Sequence, residues 1–352
     1  MPQRRARYGC RLLPALLATA VAAASASTPV PELALDNGTL RVVATPALGG
    51  RVLSLQRAGR PNLLKVGDAV LQQPRPQVSA QADDIAYLAH DVWVGPQSQW
   101  WIHQQANPQR ARERANWPPD PYLSFATTRI VRQDRRQLLL EGVDSPVSGV
   151  RLSKRIALSP ERADTVDVEA SARNIRDCDV AWDLWFNTRV SAATRVFVPV
   201  AGAADIRVQP AQGAATPLPA RLESGLFVLD AATPDDAVHR GKFLLQPSAG
   251  WMAGFADGQV LVIRFAHQPA ARIHPEQGQV ELYLDAPAHA PASGLLEMEV
   301  HAPYRRLRPG ERMQAAERWT VLRYDGADDV PSQRRFLCSQ AQELGLAGAC
   351  TR

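Results

Sequence analysis

Apolar and polar residues alternate with a period of two over much of the chain. In the segment DTVDVEASARNI, Val166 and Val168 point to one side of an extended strand, and Asp167 and Glu169 point to the other. The segments VAWDLWFNTRV, VELYLDA and LLEMEVHA have the same alternation. A period of two predicts β-strands with one apolar and one polar face.

Further strand candidates extend from about residue 33 to residue 325, with Pro, Gly, Asn and Asp between them. A parallel α/β sheet needs regularly alternating helices, whereas this sequence has one convincing helix, from about Ser332 to Leu344. We therefore predict an all-β fold, a large antiparallel β-sandwich with a short C-terminal helix. It would be a single domain over residues 27–352, with a C-terminal tail from about residue 326. The segment PVAGAADIRVQPAQGAATPLPA is expected to be a long surface loop.

Residues 1–26 have the pattern of a secretory signal peptide. Four arginines precede the apolar run LLPALLATAVAAA, and the small residues Ala24, Ser25 and Ala26 follow it. The segment contains no acid, so its removal lowers the formal net charge from +5 to +1. We expect a periplasmic or secreted protein that does not insert into a membrane after cleavage. The small remaining charge gives no reason to expect nucleic-acid binding.

Three cysteines remain after this segment. Cys338 and Cys350 could close a small terminal loop through a disulfide, which an exported chain can keep. Cys178 would then be free, and we expect it to be a buried apolar thiol.

The sequence lacks the motifs of several common enzyme classes. It has no Walker-type phosphate loop, no dinucleotide-binding GxGxxG and no GxSxG nucleophile elbow. Its histidines and cysteines do not have a zinc-binding spacing, and a Pro- and Arg-containing segment separates His267 from His274. We expect neither a cofactor nor a bound metal.

Acidic side chains recur on the predicted strands. Glu297 and Glu299 are two residues apart and share one face of a strand. Two other strands mix acids with aromatic and amide groups, namely Glu281, Tyr283 and Asp285 on one and Asp183, Trp185 and Asn187 on the other. Such a face is either a solvated outer surface, the ordinary place for acids, or part of a carbohydrate site. The rings favour the second interpretation, because apolar sugar faces stack on rings while hydroxyls bond to carboxylates and amides.

Half of the eight tryptophans fall between Trp93 and Trp117, in a segment rich in Gln, Asn, Pro and Gly. Trp100 and Trp101 have glutamine neighbours, which favours a wet face and a role in stacking on a sugar. Trp93 alternates with valines and is either a core residue or part of the same site. We expect a loop over the sugar face, in which Gln97 supplies hydrogen bonds.

Three segments resemble, in order and spacing, the galactose mutarotase-like (aldose 1-epimerase-like) proteins. They are NGTLRVVATPALGGRVLSLQRAGRPNLL, VEASARN followed by WDLWFN, and LLEMEVHAPYRRLRPGERMQAAERWTVLRY. The segments WVGPQ at Trp93 and WPP at Trp117 fit an uncharacterised branch of these proteins. The resemblance implies a supersandwich of antiparallel sheets with a sugar site on a concave face. Arg51, which ends the Gly-Gly-Arg turn of the first segment, would contribute to substrate binding.

The resemblance also implies candidate catalytic residues. In mutarotases, a glutamate is the general base at the anomeric hydroxyl and a histidine is the general acid at the ring oxygen. The glutamate corresponds to Glu299 or Glu297, with a preference for Glu299. Asp183 stands in the place of the histidine, ahead of a preserved Trp-Phe-Asn segment. An aspartate could act as the acid if burial or a nearby carboxylate raised its pKa; otherwise His90 is the best substitute and His301 the second.

The sequence therefore favours an exported carbohydrate-binding protein of mutarotase-like fold, which recognises a sugar or glycan on a sheet face. The displaced histidine favours binding without catalysis. The alternative is a sugar mutarotase or epimerase that needs no cofactor and uses a strand glutamate as its general base. The fold alone does not decide between them.

Overall fold

The computed structural model describes residues 29–215, 217–233 and 237–350, so the predicted signal peptide lies outside the described residues. The described residues form twenty β-strands and four α-helices. The strands are β1 (Leu33–Asp36), β2 (Leu40–Thr45), β3 (Arg51–Arg57), β4 (His90–Gly95), β5 (Arg129–Gln133), β6 (Gln137–Asp144), β7 (Val150–Leu158), β8 (Thr165–Asn174), β9 (Val180–Ser191), β10 (Arg195–Pro199), β11 (Ile206–Pro210), β12 (Ala220–Glu223), β13 (Leu226–Leu229), β14 (His239–Leu245), β15 (Trp251–Ala256), β16 (Gln259–Phe265), β17 (Val280–Ala286), β18 (Leu295–His301), β19 (Arg305–Leu307) and β20 (Arg312–Arg323). The helices are α1 (Ala69–Gln72), α2 (Pro108–Glu113), α3 (Pro121–Ser124) and α4 (Val330–Leu344).

The strands form two antiparallel sheets of ten strands each. The first sheet has the order β1-β2-β3-β4-β9-β18-β17-β14-β11, and the short strand β19 pairs with the beginning of β9. The second sheet has the order β12-β13-β10-β15-β16-β20-β8-β7-β6-β5. This is the predicted all-β antiparallel sandwich with a C-terminal helix. Neighbours such as β4, β9 and β18 are distant in sequence, so their pairing brings remote side chains together.

The strand β8 follows the alternation of its sequence. Val166 and Val168 are buried in the core between the sheets, while Asp167 and Glu169 are partly exposed on the other face. The outward acids pair with arginines of adjacent strands, Asp167 with Arg318 and Glu169 with Arg155. Burial of the apolar face supplies the main driving force for this strand.

The strand β9 is buried on both faces. Leu184 and Phe186 pack in the core between the sheets. Asp183 and Asn187, which point the other way, are also inaccessible to solvent. We call this second face, turned away from the second sheet, the outer face of the first sheet. Buried polar groups must find partners, so a covered polar face indicates a built polar site.

The chain between β3 and β5 helps to cover the outer face. Gly49, at the turn before β3, has φ +69°, and a Cβ there would lie 2.4 Å from the carbonyl oxygen of Leu123. Only glycine combines this left-handed conformation with so close an approach. The α3 segment is thereby held against the beginning of β3, where Arg51 lies.

The predicted surface loop from Pro199 to Ala220 contains a strand. Residues Ile206–Pro210 form β11, the edge strand of the first sheet, which pairs with β14. The loop prediction is therefore wrong over these residues. The strand is short and mostly exposed, so it lacks the apolar alternation that identifies a half-buried strand, and its Ala-, Gly- and Pro-rich flanks concealed it.

The C-terminal helix α4 packs against the second sheet. Its N-cap residue Asp329 accepts a hydrogen bond from the backbone of Ser332, and Gly345, with φ +69°, ends it. Leu337 belongs to the same apolar cluster as Trp251 of β15. None of the described helices is long and apolar enough to cross a membrane.

The cysteines follow the predicted pairing. Cys338 of α4 forms a disulfide with Cys350. Cys178 is free, as expected, but it is exposed. The expectation of a buried thiol is therefore wrong, because Cys178 lies in the turn between β8 and β9 and not on a strand.

Candidate functional site

The register of the first sheet aligns side chains, all of them polar except Leu244, in two rows across its outer face. The first row is Arg189, Glu297, Tyr283, Lys242 and Gln209. The second row is Asp91, Asn187, Glu299, Glu281, Leu244 and Arg207. The rows lie two residues apart along each strand, a spacing of about 7 Å, and both point to the same face.

Lys242 is the cation at the centre of these rows. Its Nζ lies 2.5 Å from Oε2 of Glu281 and 2.8 Å from Oε2 of Glu299. It also lies 4.8 Å from the ring centroid of Trp185, within the range of a cation–π contact. Burial alone would lower the pKa of Lys242, but the two carboxylates outweigh burial and raise it. The lysine therefore remains charged at neutral pH and compensates the acids beside it.

His301 lies beside these acids and is fully buried. Its Nδ1 is 3.5 Å from Oδ1 of Asp183, and its Nε2 is 3.6 Å from Oε1 of Glu281. The side-chain amide of Gln277 lies 2.8 Å from Nδ1. Burial favours the neutral ring, but Glu281 and Asp183 outweigh it and raise the pKa of His301 to about 9. The ring is therefore a second cation of this cluster, and it is buried between two acids.

The two glutamates beside Lys242 titrate differently. Burial favours the protonated form of both, but at Glu281 the charges of Lys242 and His301 outweigh burial and hold the pKa well below its usual range. At Glu299 burial outweighs Lys242, the nearby Glu297 and Glu281 act in the same direction as burial, and the pKa rises to about 8. Glu299 is therefore the carboxyl of this cluster that exchanges a proton near neutral pH.

A second ion pair occupies the first row. Nε of Arg189 donates a hydrogen bond of 2.7 Å to Oε1 of Glu297. The guanidinium carbon of Arg189 lies 4.8 Å from the ring centroid of Trp93. The contact fixes the carboxylate of Glu297 and the ring of Trp93 in one arrangement.

Arg51 supports the site from the end of the second row. It lies 2.8 Å from Asp91, whose other carboxylate oxygen is 2.5 Å from Nζ of Lys154. Burial would raise the pKa of Asp91, but the two cations outweigh burial and lower it. Arg51 also donates to the carbonyl oxygens of Leu88 and Ser124. These hydrogen bonds connect the first sheet to the chain between β3 and β5, which covers its outer face.

A cavity of about 480 Å³, which we call the first cavity, lies over the first row. This volume is typical of small-molecule sites. Three indole rings contribute to its walls, those of Trp93, Trp117 and Trp185. Its charged lining includes Arg189, Lys242, Glu297 and Glu299.

The aromatic walls form one cluster around Trp93. Its ring centroid lies 5.6 Å from that of Trp100, 6.3 Å from that of Trp117 and 5.2 Å from that of Trp185, each in an edge-to-face contact. Trp117 is 49% exposed, whereas Trp93 and Trp185 are buried. The buried part of the cluster is closely packed, and Trp117 is the ring that is accessible from the cavity.

Trp100 and Trp101 are only 1% and 0% exposed. Nε1 of Trp100 donates to the carbonyl oxygen of Val94, and Nε1 of Trp101 donates to that of Pro118. The prediction that these two rings have a wet face is therefore wrong. Gln97 and Gln99 beside them are partly exposed, while the rings fold inwards and hold the loop together.

Several buried polar atoms around the first cavity have no hydrogen-bond partner among the described residues. They are Nε1 of Trp93, Nε1 of Trp185, Nη1 of Arg189 and Oδ1 of Asn187. An unsatisfied buried donor or acceptor costs about 1–3 kcal/mol. Donors left in this state beside an open cavity are suited to a polar ligand.

A family model described as a domain of unknown function, DUF4380, matches residues 30–322. The chain belongs to the DUF4380 family. Comparison with curated protein sequences finds no significant match.

Solved structures are similar in fold to this DUF4380 protein. A galactose mutarotase-like protein from Lactobacillus casei is 11% identical with a TM-score of 0.51, and the match covers 83% of this chain and 100% of that one. A galactose mutarotase-like protein from Clostridium acetobutylicum is 11% identical with a TM-score of 0.50, covering 82% and 94%. An aldose epimerase homologue from C. elegans is 11% identical with a TM-score of 0.50, covering 84% and 100%. The DUF4380 protein therefore has the galactose mutarotase-like fold that its sequence segments predict; identities this low carry only the fold.

The predicted site residues of the DUF4380 protein fall into three groups. Those that line the first cavity are Arg51, Trp93, Gln97, Trp185, Tyr283, Glu297 and Glu299. Asn187 and Glu281 lie in the second row, where Asn187 donates a hydrogen bond of 3.2 Å to Glu299. The remaining predicted residues are Trp100 and Trp101, which hold the loop, and the two candidate acids, His90 and Asp183.

His90 lies on the wrong face for the role of acid. It is three residues from Trp93 on the same strand, so the two side chains point to opposite faces. His90 packs edge-on against Trp319 of the second sheet, with ring centroids 4.6 Å apart, and its Nδ1 lies 3.0 Å from Oγ1 of Thr188. Burial, and then Lys154, lower the pKa of His90 well below its ordinary value. The structure thus corrects this prediction: His90 is a neutral core residue.

Asp183 lies on the expected face but is covered. It is 0% exposed, and its carboxylate lies beside His301. A ligand in the first cavity would therefore not touch it. The structure assigns Asp183 to positioning His301, and the predicted role of direct proton donor does not fit this placement.

Glu281, Glu299 and His301 bring ligand-type atoms within 4.8 Å of one another. A divalent cation there would compete with the ammonium of Lys242, which already lies against both glutamates. It would also have to displace the proton that the raised pKa keeps on His301. The donor set fits an internal ion-pair cluster better than a metal centre.

Sequence reasoning missed Lys242 and Arg189 as site residues. Arg189 shares the alternation of Asp183, Trp185 and Asn187, so the pattern itself could have identified it. No local signal identified Lys242, because its role depends on the pairing of β14 with β17.

Proposed function

We propose that this protein is exported and binds a carbohydrate in the first cavity. The observation that carries the proposal is that one cavity is lined both by an exposed indole ring, that of Trp117, and by the ion pair of Arg189 and Glu297. Sugars present apolar C–H faces together with hydroxyls that both donate and accept hydrogen bonds. A site that offers a ring, carboxylates and a guanidinium matches both properties.

The tryptophans would have different roles. Trp117, which is half exposed, offers a ring for stacking. One side of Trp185 is covered by Trp100, which stacks at 5.7 Å, and Lys242 lies over the ring as well. Trp185 and Trp93 would therefore contribute their unpaired Nε1–H groups as donors to hydroxyls.

The charged groups would orient the sugar. Glu297 would accept hydrogen bonds from hydroxyls, and the unpaired Nη1 of Arg189 would donate one. Glu299, with its pKa near 8, would donate or accept according to pH. Hydrogen bonds that involve ionised groups are stronger than neutral ones, so a few of them suffice to fix orientation.

Export is proposed from the basic and apolar pattern of residues 1–26. The Cys338–Cys350 disulfide supports it, since such bonds persist in oxidising compartments. Expression with residues 1–26 fused to a periplasmic reporter, compared with the same fusion lacking them, tests this. Equal retention of both reporters in the cytoplasm would contradict export.

Titration calorimetry on the purified protein tests binding, with neutral hexoses, uronic acids and glycans built from them. Trp117→Ala and Glu297→Gln should each weaken binding about tenfold or more, which is about 1.4 kcal/mol. Glu169→Gln, on the outside of the second sheet, is the matched carboxylate control. Absence of binding across the panel would overturn the proposal.

A second candidate function, an aldose 1-epimerase-like activity, is favoured by Glu299. Its pKa of about 8 leaves it protonated at neutral pH, while Glu297 is paired with Arg189. The base would then be Glu297 and not Glu299, the glutamate that the sequence favoured for that role: Glu299 would protonate the ring oxygen as Glu297 accepts the proton of the anomeric hydroxyl. The bond between the anomeric carbon and the ring oxygen then breaks, and after rotation the reverse transfers close the ring, with both carboxyls restored.

Polarimetry on freshly dissolved α-glucose or α-galactose tests the second candidate. Faster anomerisation that is lost in both Glu299→Gln and Glu297→Gln would support it. Binding without acceleration would leave the protein as a binding module.

A further inference from the structure

A second cavity, of about 490 Å³, lies beside the first. It lies over the part of the outer face formed by Arg207, Leu244 and Glu281, the far half of the second row. Ser98 and Asn116 of the covering loop also line it, as does Gln277. No step of the proposed function uses this space.

The two cavities share a boundary. Gln97, Trp185, Gln209 and Lys242 line both. The first cavity covers Gln209, Lys242 and Tyr283 of three adjacent strands, and the second covers Arg207, Leu244 and Glu281 two residues further along the same strands. The two spaces are therefore successive parts of one cleft, which runs parallel to the strands with a step of about 7 Å.

The second cavity is polar and contains an unsatisfied group of its own. Oγ of Ser98 is buried without a hydrogen-bond partner among the described residues. The guanidinium of Arg207 is held by the carbonyl oxygens of Pro275 and Gln277, at 2.9 Å and 2.5 Å. The cavity thus offers a fixed charge and an unpaired side-chain hydroxyl, which suit the hydroxyls of a further sugar unit.

We infer that the two cavities are neighbouring subsites for a single linear glycan of at least two sugar units. The inference rests on the proposed carbohydrate binding and names the class of ligand. A monosaccharide would fill one cavity and leave the polar groups of the other unpaired. A chain that crosses the boundary over Trp185 and Lys242 would satisfy both sets.

Titration calorimetry tests the inference. Glucose, galactose and galacturonic acid are each compared with a disaccharide and a trisaccharide built from the same sugar. We expect at least one disaccharide or trisaccharide to bind about tenfold or more tightly than its own monosaccharide. Ser98→Phe, which fills the second cavity, should reduce that affinity to the level of the monosaccharide. Ser98→Ala, which removes only the hydroxyl, should have the smaller effect of one hydrogen bond and guards against misfolding of the larger variant.

The outcomes separate this inference from the proposed function. If a monosaccharide binds and its longer glycans bind no more tightly, the two-subsite inference is wrong and carbohydrate binding stands. A gain in affinity that persists in Ser98→Phe would also overturn the inference, because the gain would then arise elsewhere. If no sugar or glycan binds, the proposed function fails, and the inference fails with it.

Discussion

Nζ of Lys242 and Oε2 of Glu281 lie 2.5 Å apart, joining β14 to β17 across the outer face of the first sheet. The same ammonium lies against Glu299, so one lysine contacts two buried acids. Because His301 adds its charge on the side of Glu281, the proton of the cluster resides on Glu299. Stability and the proposed sugar binding would therefore depend on the same few side chains.

Lys242→Met should lower the free energy of unfolding by about 3–5 kcal/mol, because it leaves buried acids without their cation. Urea unfolding measures this. Adding Glu281→Gln to Lys242→Met removes one of the stranded charges and should recover part of the loss. If the double variant is no more stable than Lys242→Met alone, Lys242 does not stabilise the fold through its ion pair with Glu281.

Trp117 and Trp101 form a matched pair of tryptophans. Trp117→Ala should weaken sugar binding by about 1.4 kcal/mol or more with little change in stability, since the ring is half exposed and lines the first cavity. Trp101→Ala should lower the free energy of unfolding by about 3–5 kcal/mol, since its ring is inaccessible to solvent. Calorimetric titration and chemical unfolding of both variants test this. If Trp101→Ala weakens binding and Trp117→Ala lowers stability, the roles assigned to the two rings are wrong.

Much of the fold could be predicted from local alternation, because a half-buried strand records its two faces in sequence. This holds for β8, and for the shared face of Glu297 and Glu299 on β18. The same rule places the side chains of His90 and Trp93 on opposite faces of β4. Alternation within this strand is therefore enough to exclude His90 from the outer face, although it lies close in sequence to the tryptophans.

Other features depend on contacts that no local pattern contains. The role of Lys242 requires β14 to lie beside β17, and strand order is set by the packing of the whole sheet. The burial of Trp100 and Trp101 depends on how the covering loop folds on itself, although their neighbours are polar. A glutamine next to a tryptophan in sequence therefore does not show whether the indole ring faces solvent or the interior of the loop.

The Cys338–Cys350 disulfide should stabilise the packing of the C-terminal segment. It closes a short loop that begins within α4, and the carbonyl oxygen of Ala347 in that loop accepts a hydrogen bond of 2.9 Å from Nε1 of Trp251. Removing the cross-link through Cys338→Ser should cost about 3 kcal/mol or less, the magnitude typical of short loops. Thermal unfolding with and without reductant measures this, and the exposed Cys178→Ser is the matched control. Equal melting temperatures for Cys338→Ser and wild type would mean that the tail contributes no stability.

Glu317 should make stability depend on pH. It is buried on the inner face of β20, where Oε2 accepts a hydrogen bond of 2.7 Å from Nε1 of Trp319, while Oε1 has no partner in the described part of the chain. Burial outweighs that hydrogen bond and raises the pKa of Glu317 from its ordinary 4.5 to about 8. Between these values the folded protein holds a proton that the unfolded chain has released.

The sign follows from proton binding. Because the folded state binds more protons than the unfolded state between about pH 4.5 and pH 8, the contribution of Glu317 to stability falls as pH rises through this range and levels off above it. The slope for one proton is at most about 1.4 kcal/mol per pH unit. Urea unfolding of wild type and Glu317→Gln at pH 5, 6, 7, 8 and 9 isolates the contribution as the difference between the two curves. Glu299 is the other carboxyl with a pKa near 8. Measuring Glu299→Gln in the same way gives its contribution to the pH dependence separately from that of Glu317. Parallel curves for wild type and Glu317→Gln would mean that Glu317 is ionised in the folded protein, and burial of its carboxyl would then require a cationic partner.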